Sequence, residues 1–140
     1  MIEPSLALQT AIRSRLIEYP AVTALVPAAS IRSGSTRPDR SPCIILAGGQ
    51  TQYLGHAAGS QHVARVFLDL HIWAIEDGAD TAKAIGYALA QALIGMPWQQ
   101  DGFDIDAFDQ PRIIWMRDPQ PELAYTHGIA EIEAVIRWRF

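Results

Sequence analysis

The sequence predicts an α+β fold, an antiparallel sheet of four or five strands with two helices packed on one face. Three observations carry that expectation. A strand running from Val63 sets Ala64, Val66, Leu68, Leu70, Ile72 and Ala74 on one side, against Arg65, Phe67, Asp69, His71, Trp73 and Ile75 on the other. A helical stripe follows at Ala82, Ile85, Leu89, Ala92 and Leu93. A second alternating run closes the chain, with Ala130, Ile132, Ala134, Ile136, Trp138 and Phe140 together and Glu131, Glu133, Arg137 and Arg139 opposite. A strand and a helix in direct succession, each with one apolar face, bury those faces together.

Taken in order, Pro4 suits the first turn of a helix whose stripe is Leu8, Ala11, Ile12 and Leu16, ending near Tyr19-Pro20. Pro20 restarts the chain for one or two helical turns through Val26. Ser30–Ser33 reads as a short edge strand, followed by a polar, mobile loop carrying Arg32, Arg37 and Arg40 at its start and along its length. Cys43–Ala47 is a short apolar strand. Gly48-Gly49 lacks the helix entry and lysine that a phosphate-cradling loop needs. The stretch from Gly48 to His62, with Tyr53 and Leu54 its large apolar residues, reads as a hairpin arm joining the Cys43 strand to the Val63 strand.

Glu76-Asp77-Gly78 breaks the central strand, Asp77 or Asp80 can cap the next helix, and Gly95 with Pro97 ends it. Asp101-Gly102 favours a tight hairpin before a brief strand at Phe103 and Ile105. Arg112–Asp118 forms another strand, with Ile113 and Trp115 on one side and Ile114 and Met116 on the other. Asp118-Pro119-Gln120-Pro121-Glu122 makes a turn into the last strand, which opens near His127.

At 140 residues and 49% hydrophobic, the chain reads as one domain, 1–140, with a substantial core. A net charge of −4 with scattered Lys and Arg argues against specific nucleic-acid binding, which needs massed positive charge. No stretch approaches the roughly 20 apolar residues of a membrane helix. One cysteine, Cys43, forms no internal disulfide, so a cytoplasmic product is expected, with Cys43 a small hydrophobe.

Chemistry is sparse. His56, His62, His71 and His127 lack paired metal-ligand spacing, and Asp104, Asp106 and Asp109 lack the glycine and distal glutamate of a calcium loop. Neither a cofactor nor a catalytic role is expected. His71 and Asp69, two residues apart, are the pair an enzyme would use, given a pocket around them.

The informative feature is the strand face that the helices leave uncovered. It interleaves large apolar groups with charges of both signs, a mixture typical of protein–protein contact. The candidate interface residues are Arg65, Phe67, Asp69, His71, Trp73, Glu131, Glu133, Arg137 and Arg139, with Tyr53 on the arm.

Four stretches carry a resemblance to a known family: Leu8-Gln9 through Arg15-Leu16 to Pro20–Val26; Pro42–Leu46; Leu68–Trp73 with Gly78, Ala82–Ile85 and Ala92-Leu93; and Arg117-Asp118 with Thr126–Ile129. In order and spacing the chain resembles the small tail-completion proteins of long-tailed bacteriophages, tail terminators or head-to-tail joining proteins, which also occur in prophages and gene transfer agents. The resemblance implies a structural virion assembly protein without catalytic residues. It implies a homo-oligomeric ring of six copies at the head-proximal end of the tail tube, touching the tail tube protein and the head–tail connector protein. On this reading the Trp73 and Arg137 face, with the arm, supplies part of the subunit contact. Trp73→Ala and Arg137→Glu are then expected to weaken ring formation in a chain that still folds. The alternative is a small α+β ligand-binding or regulatory domain acting as a dimer through the same face.

Overall fold

The computed structural model describes residues 3–75, 79–95, 99–100, 102–118 and 124–139. Helix α1 spans Pro4–Glu18, with Pro4 at its first turn and the Glu3 carboxylate accepting hydrogen bonds from the Ser5 and Leu6 amides at 2.9 and 3.2 Å. A single helical turn, α2 (Pro20–Thr23), and a 3-10 turn at Ala28–Ser30 lead into strand β1, Ile31–Ser33. Two 15-residue strands follow, β2 (Cys43–Ala57) and β3 (Gln61–Ile75). Then come α3 (Asp80–Ala92), β4 (Gln99–Gln100), β5 (Phe103–Phe108), β6 (Arg112–Arg117) and β7 (Tyr125–Arg139).

The class is α+β as expected, but the sheet has seven strands among the described residues rather than four or five. Its order is β1-β2-β3-β7-β5-β4, with β6 also on β7. Pairing is antiparallel except at the edge, where β1 runs parallel to β2. The extra strands are short. β5 pairs the C-terminal half of β7 and β6 its N-terminal half, and the Asp109 amide still donates to the Glu133 carbonyl between them. Phe108 and Arg112 are four positions apart where their partners Ala134 and Glu131 are three apart. β5 and β6 therefore form one long rail along β7, with one extra residue at their junction and another, Asp106, within β5. The sheet is in effect four long rails with short flanking pieces.

The helices cover one face. Leu8, Ala11, Ile12 and Leu16 of α1 and Ala82, Ile85, Leu89, Ala92 and Leu93 around α3 are buried against Ala64, Val66, Leu68, Leu70, Ile72 and Ala74 of β3. Ala130, Ile132, Ala134, Ile136 and Trp138 of β7 join the same core, so both alternating strands bury the side their sequence marks. Arg15 of α1 donates from Nε to the Ala92 carbonyl at 2.8 Å, a cation placed at the α3 C-terminus.

Capping of α3 differs from expectation. Its N-cap is Ala79, with no side-chain cap hydrogen bond, and Asp80 lies inside the first turn, where its charge suits the helix dipole. Asp77, the other cap candidate, lies outside the described residues, as do the 76–78 break, Pro97, Asp101, residues 119–122 of the predicted turn and Phe140.

Candidate functional site

The uncovered sheet face is laid out by the β3–β7 ladder, fifteen successive rungs from Gln61↔Arg139 to Ile75↔Tyr125. Residues directly opposite share a face, so Arg65, Phe67, Asp69, His71 and Trp73 stand beside Glu131, Glu133, Arg137 and Arg139 on the side away from the helices. The structure brings nine of the ten candidate residues onto that surface. Tyr53 is the exception. An extra residue between Ala47 and Gln50 reverses the phase of β2, and Tyr53 pairs with Ala64, whose side chain is in the core. Tyr53 thus lies on the helix side, its ring edge-on to Trp138 with centroids 6.4 Å apart. His62 stacks on Trp138 at 5.6 Å and His56 lies 4.7 Å from His62. Sequence reasoning did not foresee this aromatic cluster, because it depends on the bulge.

Trp73 and Arg137 need correction as free contact groups. Trp73 is only 7% exposed, in a second apolar cluster with Cys43, Ile45, Ala47 and Tyr125. Its ring stacks on His127 at 3.7 Å and meets Tyr125 edge-on at 5.5 Å. The 34–42 segment runs nearby, its Ser41 hydroxyl accepting from the Ile75 amide at 3.0 Å, and folds back around Arg32. That guanidinium donates to the Ser35 and Arg37 carbonyls at 2.9 and 3.0 Å and to Asp39 at 3.2 Å. Arg32 lies in register with Ile45, and burial, the largest effect, pushes the Cys43 thiol up to about 11. The arginine-bearing loop is exposed, and one of those arginines organises it. Arg137 donates to Asp106 at 2.7 and 3.0 Å and to Gln61 at 2.7 Å, and lies 3.2 Å from Asp104. It ties β3, β5 and β7 together, and its hydrogen bond holds the Asp106 carboxyl below the usual range. Altering Trp73 or Arg137 therefore disturbs the subunit itself, and neither isolates an assembly contact.

The remaining charges pair along the face. Arg65 lies 3.2 Å from Glu133, and Arg112 donates to Glu131 at 3.1 Å. A cavity of about 560 Å³ opens between them, lined by Gln50, Phe67, Asp69, Asp109, Glu131 and Glu133 among others. His71 does not line it. Its Nδ1 lies 2.8 Å from Nε2 of His127, so the structure does not join His71 and Asp69 as a catalytic pair. Among the described residues no group of three or more His, Cys, Asp or Glu could hold a metal ion. No helix of the described residues is long and apolar enough to cross a membrane.

The histidine pair gives a testable pH response. One neutral ring must donate and the other accept. Burial, then the field of His71, lowers the His127 pKa from 6.5 to about 4, and burial, opposed by Asp69, lowers that of His71. Asp118 is the other charge that acts on His127. The unfolded chain takes up these protons first, so the pair's contribution to stability is complete above pH 6.5 and is lost as pH falls towards 4. The melting temperature is expected to fall by about 5 °C more between pH 7 and 5 in the native chain than in His127→Phe, which keeps an aromatic ring in the stack and removes the His127 titration. Equal slopes by calorimetry would show that the pair is not linked to folding.

Comparison with known proteins follows the same architecture. The family described as Tail completion protein gp17 matches residues 10–137. Among solved structures, a chain in the virion of a native gene transfer agent particle superposes with a TM-score of 0.72 at 16% identity, covering 94% of this chain and 95% of that one. The gp17 protein of bacteriophage SPP1 superposes with a TM-score of 0.61 at 19% identity, covering 94% and 89%. No curated protein sequence matches significantly.

Proposed function

The chain belongs to the tail completion protein gp17 family, structural components of phage tails, and from that premise we propose that it closes the head-proximal end of a tail tube. Copies join in a ring, six by the family resemblance, that stops tube growth and offers its outer surface to the head connector. Its partners are other copies of itself, the tail tube protein and the head–tail connector protein. Its place is the virion, reached from the host cytoplasm during assembly.

One observation carries this reading. The family match runs over residues 10–137 and so extends from the middle of α1 through the arm and α3 to Arg137 of β7, nearly the whole two-layer unit rather than a local motif. The uncovered sheet face adds support, since its paired charges and half-buried apolar groups suit repeated contact with protein. A ring of identical subunits requires one surface to meet a different surface of the next copy, and a sheet with two unlike edges supplies that asymmetry.

Electron microscopy of particles made after deleting the gene tests the proposal. Overlong, headless tails are the expected result. Tails of normal length lying apart from filled heads would confine the role to the joint, and intact particles in normal number would overturn the reading.

A further inference from the structure

We propose that neighbouring copies join by continuing the sheet, the outward edge of the β2 arm in one copy receiving the outward edge of β6 from the next. This rests on the ring reading above and names its contact.

The arm edge is open. β1 pairs only with Ile44–Leu46, so beyond them β2 has β3 on one side and no strand on the other among the described residues. An extended backbone in that state presents unpaired amides and carbonyls to whatever strand approaches. Edge strands are usually guarded by lysine, proline or inward charge. The arm from 50 to 57, Gln-Thr-Gln-Tyr-Leu-Gly-His-Ala, has no proline and no acidic residue, lysine or arginine. It exposes Tyr53 at 66% and Leu54 at 44%.

The opposite side of the sheet ends in the β5–β6 rail. There β4 covers only Phe103 and Asp104. Asp106, Asp109 and Pro111 carry the charges and the missing N–H that discourage strand addition. Arg112–Arg117 is different. Its charges stand at its two ends, Ile113 and Trp115 pack inward, and Ile114 and Met116 are 45% and 41% exposed.

Exposed apolar side chains mark both edges. Ile114 and Met116 pair with Ile129 and His127, on the side away from the helices. Leu54 is the extra residue of a second bulge, between Tyr53 and Gly55, so it has no rung on β3 and its side chain is left exposed on the arm. If the sheet continues edge to edge, the exposed Leu54 of one copy lies against Ile114 and Met116 of the next. Two unlike edges at opposite sides of one sheet are what a head-to-tail closed ring requires. Strand addition then supplies the backbone hydrogen bonds and these side chains the register.

The test is complementation of the gene deletion with three variants, each checked for a native melting temperature. Leu54→Glu and Ile114→Lys alter exposed side chains, so both are expected to fold. Each alone buries an unpaired charge in the contact and is expected to lower particle yield by about a hundredfold. The double variant places Glu against Lys in every contact of the ring and is expected to recover yield to within about tenfold of native. Full complementation by either single variant, or no recovery in the double, overturns the proposal. A deletion that leaves particles intact would instead strike the functional reading on which it rests.

Discussion

Trp73→Ala is expected to cost about 3–5 kcal/mol of folding stability, a large part of what a chain of this size possesses. The indole is 7% exposed and is held between the His127 ring and the Tyr125 edge, with Cys43, Ile45 and Ala47 beside it. Truncation leaves a void beside the His127 and Tyr125 rings that the strands cannot fill without losing ladder hydrogen bonds. Trp73→Phe separates volume from polarity. The indole Nε1 is buried without a hydrogen-bond partner among the described residues, so phenylalanine loses part of the packing but also removes an unsatisfied donor. Its cost is expected to stay below about 1.5 kcal/mol. Urea denaturation of both variants decides the matter. A small loss for alanine would mean that the strands do fill this void, and a large one for phenylalanine that the Nε1 proton is bonded after all.

The burial of Trp73 also marks where the sequence stopped being informative. Alternation in β3 and β7 placed every side chain on the correct side of the sheet, because a period of two has only two phases and each strand runs fifteen residues without interruption. The stripes of α1 and α3 were equally plain. What alternation cannot say is what lies over the second face. The residues 34–42 look like solvated loop by composition, and their wrapping of the Arg32 guanidinium is not visible in that composition. The side of the sheet that Tyr53 takes was hidden for a related reason. One extra residue at Gly48-Gly49 reverses the phase of β2 through Tyr53 and a second, at Leu54, restores it, and glycine pairs at bulges look no different from glycine pairs in loops. The two-strand reading of 103–118 holds, and what the sequence did not show is that both strands line up along β7. The candidate surface was therefore legible as a face, while its free contact groups were not.

Gly128→Ala is expected to destabilise the fold by about 1–3 kcal/mol, against the usual sign for such a change. Replacing glycine in a strand normally favours folding by roughly 0.4–1 kcal/mol, because the unfolded chain loses freedom, and Gly128 does not have a positive φ that would forbid alanine. Space decides otherwise. A Cβ at Gly128 would lie 2.5 and 2.7 Å from Cζ3 and Cε3 of Trp115, its partner across the β6–β7 ladder. A ring at the end of a flexible side chain could ordinarily move aside, but the far side of Trp115 faces Gly86 of α3, where a Cβ would itself come within 2.8 Å. The indole fills a slot formed by two missing side chains, one on the strand and one on the helix, and pushing it from one wall drives it towards the other. Moving β6 outward would relieve the clash at the expense of its ladder with β7, and with it the edge through which we propose copies join. Trp115→Leu in the Gly128→Ala background is expected to restore part of the loss, whereas the same substitution in the native chain opens a cavity and destabilises it. Thermal unfolding of the four chains gives the coupling. If Gly128→Ala melts at or above the native temperature, the slot is looser than this geometry requires.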